Sequence, residues 1–118
     1  MSSYEVYYQK IGHVEKKVFH EPIDINVADF LGKGFYNDAK NLKDEYVDGG
    51  RFISCISCGK VVAGYFHPTK KHSVTACPGY NFFCTYSSET AEAPAGTWAV
   101  IITGASMTGR RTFYNIYN

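Results

Sequence analysis

The chain has 118 residues, 45% of them hydrophobic and 19% charged, with a formal net charge of +1. That length carries one domain, spanning 1–118, with enough buried surface for a core, and the composition excludes a disordered tail. Two leucines, Leu31 and Leu42, stand against 44 Val, Ile, Thr, Tyr, Phe and Trp residues; such stiff or flat side chains fit a pleated surface, so a helical bundle is excluded and an all-β fold expected.

The first β-rich run is Tyr4 to Gln9, followed by Val14 to Phe19. Ile23, Ile25 and Val27 alternate with Asp24 and Asn26, which predicts a half-buried strand. Asp29 to Tyr36, with Gly32 and Gly34, reads as a loop. Residues 37–46 (NDAKNLKDEY) predict the one short helix, capped by Asn37 or Asp38 and ended by Gly49-Gly50. Arg51 to Ser57 and Lys60 to Phe66 flank Cys58-Gly59, the pattern of a hairpin. His72 to Cys77 and Tyr80 to Tyr86 are strands around a Pro78-Gly79 turn, and Ser87 to Gly96 reads as a surface loop. Thr97 to Thr103 and Arg110 to Tyr117 are strands flanking a turn at Gly104 to Gly109. Strands about every ten residues predict a Greek-key β-sandwich or barrel of about eight strands.

The charge balance leaves no long-range field to steer nucleic acid, and the basic pairs Lys16-Lys17, Lys70-Lys71 and Arg110-Arg111 are too short to supply one, so no nucleic-acid partner is expected. No apolar run reaches the length of a transmembrane helix, so no transmembrane insertion is expected. Residues 1–20 are interrupted by Glu5, Lys10, Glu15, Lys16 and Lys17 and do not form a signal peptide. The expected location is therefore cytoplasmic, with unconventional export or cell-surface association left open. The sequence sets no oligomeric state.

Ala99 to Gly109 (AVIITGASMTG) places glycines after a strand, as nucleotide-binding loops do. The nine residues after Gly109 read as a strand rather than a phosphate-receiving helix, and Arg110 and Arg111 stand where a P-loop needs Lys and Ser/Thr. Cys55-x2-Cys58-Gly59 has the form of a zinc knuckle, and Cys77 with His67 or His72 would complete a four-ligand set. Six residues separate Cys77 from Cys84, so no second Cys-x2-Cys exists, and on an extended strand Cys55 and Cys58 point to opposite faces. Disulfides would need an oxidising compartment. The principal reading is of free, mostly buried thiols, with a small zinc module as the alternative.

Pairing Cys55 or Cys77 with His67 or His72, or using Ser106, supplies no orienting third group, so no catalytic residues are assigned and a non-enzymatic protein is expected. Trp98 is the candidate for stacking on a ligand ring, although an inward role suits a chain with so few leucines.

Residues 48–79 (DGGRFISCISCGKVVAGYFHPTKKHSVTACPG) are similar to a βγ-crystallin Greek-key motif: a signature strand, a glycine turn, a valine-rich strand ending in aromatics, and a strand leading to Pro-Gly. The Phe-Ile-Ser-Cys run also resembles the crystallin-like domain of slime-mould calcium-dependent cell-adhesion proteins. The resemblance implies a Greek-key scaffold with adhesion or calcium-linked assembly as roles. It places the calcium ligands at two leading Asn/Asp residues and a Ser/Thr hydroxyl. Gly50 and Arg51 occupy the leading positions, leaving Asp48 and Ser54 as the remaining calcium candidates. The expected function is a binding or structural module for a protein or carbohydrate, without a cofactor, calcium and zinc being the metals its residues could serve.

Overall fold

In a computed structural model, residues 3–11, 14–77, 89–104 and 111–118 are described. Along them run β1 (Ser3–Ile11), β2 (Val14–His20), α1 (Val27–Leu31), α2 (Lys33–Asn37), β3 (Lys40–Val47), β4 (Gly50–Ser57), β5 (Lys60–His67), β6 (His72–Cys77), β7 (Glu89–Ala93), β8 (Thr97–Gly104) and β9 (Arg111–Ile116). The nine described strands form an all-β sandwich. A six-stranded sheet in the order β1-β2-β8-β5-β4-β3 faces a three-stranded sheet in the order β7-β6-β9, and every neighbouring pair is antiparallel. The chain leaves β5 for the small sheet and returns as β8 to lie between β5 and β2, a Greek-key return.

The centre of the large sheet is covered on both faces, which is why β8 reads as an unbroken apolar run rather than an alternation. Towards the small sheet, Phe52, Val61, Ala63, Tyr65, Ala99 and Ile101 pack against Val74, Ala76, Ala91 and Ala93. Away from it, Ile53, Val62, Phe66, Trp98, Val100 and Ile102 pack beneath Ile23, Ile25, Val27, Phe30, Leu31 and Phe35. Gly64 admits the second layer, because a Cβ there would collide with the ring of Phe30. That ring lies 4.9 Å from Trp98 and 6.1 Å from Phe19.

Several expectations are corrected. Ile23, Ile25 and Val27 do face the core, but they form no strand. The carbonyls of Ile23 and Ile25 accept from Arg51 Nη1 at 2.8 and 2.6 Å, so a side chain replaces the neighbouring strand. The expected loop at 29–36 is largely α1 and α2; Asn26 caps α1, its Oδ1 accepting from Ala28 N at 2.8 Å. The helix expected at 37–46 is mainly the edge strand β3. Pairing with β4 overrides its helix-forming residues, and Asn41, at φ 56°, sits where the register shifts. Its charges suit an exposed edge. Ser87–Gly96 contains β7, whose Ala91 and Ala93 are small enough to pack flat on the large sheet. The expected strand Tyr80–Tyr86, the Pro78-Gly79 turn and the turn after Gly104 lie outside the described residues.

Candidate functional site

The residues singled out from the sequence are dispersed over the sandwich. Asp48 and Gly49, at φ 53° and 84°, form the two-residue turn between β3 and β4, a conformation that Asp tolerates and Gly favours. The Asp48 carboxylate accepts from the Tyr114 hydroxyl at 2.5 Å. That bond, reinforced by burial, pushes the Tyr114 hydroxyl up to about 12. Ser54 lies four residues of strand beyond Gly50, roughly 13 Å away. The Arg51 guanidinium does not approach a cation site: it makes two 2.8 Å bonds to Asp44 and crosses the Tyr46 ring at 5.3 Å.

The cysteines and histidines are likewise apart. Cys55 is a buried free thiol, pushed up to about 11 chiefly by burial. Cys58 is an exposed free thiol in the turn between β4 and β5, its N–H donating to Asp38 Oδ2 at 2.7 Å. Cys77 is disulfide-bonded, which corrects the expectation of a free thiol there; its partner lies outside the described residues. Residue spacing alone does not determine such pairings.

Cys55 pairs with Val62, and His67 stands five residues further along β5, roughly 17 Å away. His67 Nδ1 accepts from the N–H groups of Thr69 and Lys70 at 3.2 and 3.1 Å. His72 is fully buried, with Nδ1 and Nε2 each 2.9 Å from a carbonyl oxygen, of Lys70 and Thr97. Burial pushes its imidazole below the ordinary 6.5, against the pull of those carbonyls. Among the described residues, no three His, Cys, Asp or Glu side chains stand together as a metal site. Trp98 is fully buried, Nε1 donating to Pro22 O at 3.3 Å, so it is a core residue and not a stacking platform.

The site that sequence reasoning did not assemble lies where the small sheet runs out. Strand β9 packs over β5, and its Tyr114 reaches Phe52 of β4 at 5.4 Å between ring centroids. Beyond it, β3 is exposed along nearly its whole length. Between the two sheets opens a groove of about 360 Å³, lined by the polar Asn41, Lys43, Ser54, Arg111 and Thr112 and by Cys55, Ile56, Val61 and Phe113.

Ser54 is 7% exposed, yet among the described residues its hydroxyl meets no hydrogen-bond partner, and neither do the side chains of Asn41 and Thr112. Lys43 reaches Glu45 at 3.8 Å and lies 5.9 Å from the Phe52 ring centroid. Phe113 is 48% exposed. Of the lining residues, Ser54 was singled out for calcium, Cys55 for zinc and Arg111 as half of a basic pair, whereas Asn41, Lys43, Thr112 and Phe113 were not. The groove depends on six strands facing three, which no local pattern in the chain encodes.

The fold and groove define the chain as an antiparallel two-sheet β-sandwich with an open cleft at one edge. No family model, curated protein or solved structure matches it. No helix among the described residues is long and apolar enough to cross a membrane.

Proposed function

We propose that the protein is a non-enzymatic binding module whose ligand lies in the groove between β3–β4 and β9. The observation that carries this reading is the Ser54 hydroxyl, more than nine-tenths buried and without a partner among the described residues. An unmet buried hydroxyl costs about 1–3 kcal/mol, and a ligand or water entering the groove relieves that cost. A preformed hollow with a few convergent polar groups is the usual form of a ligand site.

Binding suits the groove better than catalysis. Cys55 borders it by sequence, but its thiol packs on the opposite face of the large sheet with Val62 and Trp98 and does not open into the groove. The similarity of residues 48–79 to βγ-crystallin domains fits a rigid scaffold of this kind, with recognition of a protein or carbohydrate, or cell adhesion, as its setting.

The test is amide-resolved NMR of the protein against a glycan library and a peptide library. Ligand-induced shifts confined to Asn41–Lys43, Ser54 and Thr112–Phe113 are expected. Ligands that shift only other surfaces, or none that bind, remove the reading.

A further inference from the structure

We propose that the groove takes an anionic saccharide, its acidic group held by Lys43, Ser54 and Thr112 and its ring resting against Phe113. This inference rests on the groove being the binding site and adds the chemistry of the occupant. The polar lining is rich in donors. Lysine and arginine only donate, while serine, threonine and asparagine side chains both donate and accept. With Lys43, Ser54, Thr112, Asn41 and Arg111 around one hollow, the complementary group is a multi-acceptor anion such as a sulfate or carboxylate.

Glu45 is the carboxylate paired with Lys43, but the contact is long at 3.8 Å and both side chains are about half exposed. Such a pair is worth little and yields readily to a better-placed oxyanion. Ser54 strengthens the case independently of charge, because its buried hydroxyl has no partner among the described residues until something enters the groove.

The remainder of the lining favours a sugar over an extended acidic peptide. A peptide added as a strand beside β9 would need pockets for alternate side chains. The lining sets hydroxyls and an amide beside the apolar Ile56 and Val61, which match a sugar ring with donor-and-acceptor hydroxyls at its edge and C–H groups on its faces. Phe113 supplies an exposed apolar face at the rim.

The experiment titrates the folded protein with four probes: a heparin-derived tetrasaccharide, an oligogalacturonate, a neutral oligosaccharide of matched length, and a hexaglutamate peptide. Affinity is read by calorimetry and location by NMR. At least one anionic saccharide should bind, with shifts at Lys43, Ser54 and Thr112, and at least tenfold more tightly than the neutral one. Lys43→Gln and Ser54→Ala should each weaken it about tenfold, with unchanged circular dichroism.

The Ser54→Ala variant separates recognition from adsorption to a basic surface, which losing a neutral hydroxyl would not disturb. Equal affinity for the neutral oligosaccharide, or full affinity in Ser54→Ala, overturns the proposal. Binding of the peptide in the groove without binding of either anionic saccharide overturns it too, while leaving the binding-module reading intact. If no probe shifts the groove, this proposal fails, and wider screening without groove shifts removes the underlying reading as well.

Discussion

The large sheet is covered in two different ways, and the contrast separates polar groups that hold the fold from those left for a ligand. On one face the connection between β2 and β3 is sealed down. Arg51, 5% exposed, spends four N–H bonds on Asp44, Ile23 and Ile25, and Ser57 donates to Phe35 O at 2.6 Å. On the other face the small sheet stops short of β3, and Ser54 is left with a buried hydroxyl and no partner among the described residues. Both faces carry buried polar side chains. Satisfied ones specify packing, whereas an unsatisfied one calls for an explanation in function.

The contrast can be broken most severely at Arg51. Arg51→Ala removes four hydrogen bonds and strands the Asp44 carboxylate, so a loss of about 3 kcal/mol is expected in denaturant unfolding. Hydrogen exchange should rise across residues 21–39 before it rises in β5 and β8. Uniform loss of protection would show that the sealed layer is not a separate unit.

Next comes Gly64→Ala, which drives a methyl into the Phe30 ring and should cost about 2 kcal/mol. Combining it with Phe30→Leu should recover part of that loss. Strictly additive costs would mean that the two positions do not share the slot.

His72 sharpens the comparison from within the sandwich. Its folded pKa lies below the ordinary 6.5, so the unfolded chain binds the proton more readily. The stability it contributes is present above about pH 6.5 and is lost as the pH falls towards the folded value, each unit of depression being worth about 1.4 kcal/mol. The neighbouring imidazole of His67 opposes protonation of His72; Tyr65 and Tyr114 face the same interior. Thermal unfolding between pH 5 and 8 should show this slope in the native chain and a flatter one in His72→Gln. An unchanged slope in the variant assigns the effect elsewhere.

The smallest losses separate two serines of one strand. Ser57→Ala should lose about 1 kcal/mol with its bond to Phe35. Ser54→Ala should cost no stability and should raise it by up to about 1–3 kcal/mol, because no bond is lost and the burial cost of the unmet hydroxyl is removed. Equal losses from both would mean that Ser54 has a structural partner in solution.

Much of the strand framework was legible along the chain. Thr97–Gly104 announced itself through its apolar run, and Cys58-Gly59 marked the hairpin of β4 and β5 as well as a backbone with φ of 52° and 72° requires. The inward position of Trp98 followed from the scarcity of leucine. Residues 23–27 exposed the limit of periodicity: alternation reported which side chains are buried, but the partner of that backbone was a distant arginine. Residues 37–46 looked helical by composition, yet most of them form β3 through pairing with β4. The groove was less legible still, since Asn41, Ser54 and Thr112 meet only after the two sheets are superposed.

The placement of β8 also sets an order of events. The β3–β4–β5 meander closes through two tight turns and needs only local contacts, as does the β1–β2 hairpin. These two units are joined in the sheet only by residues 97–104, which pair with β2 on one side and β5 on the other. Local hairpins close in microseconds, whereas pairings distant in sequence wait on loop closure. The central strand thus follows both units in the chain and is the one that makes the sheet continuous. Pulse-labelling hydrogen exchange during refolding should protect amides bonded within β1–β2 and within β3–β4–β5 before those bonded between β8 and β2 or β5.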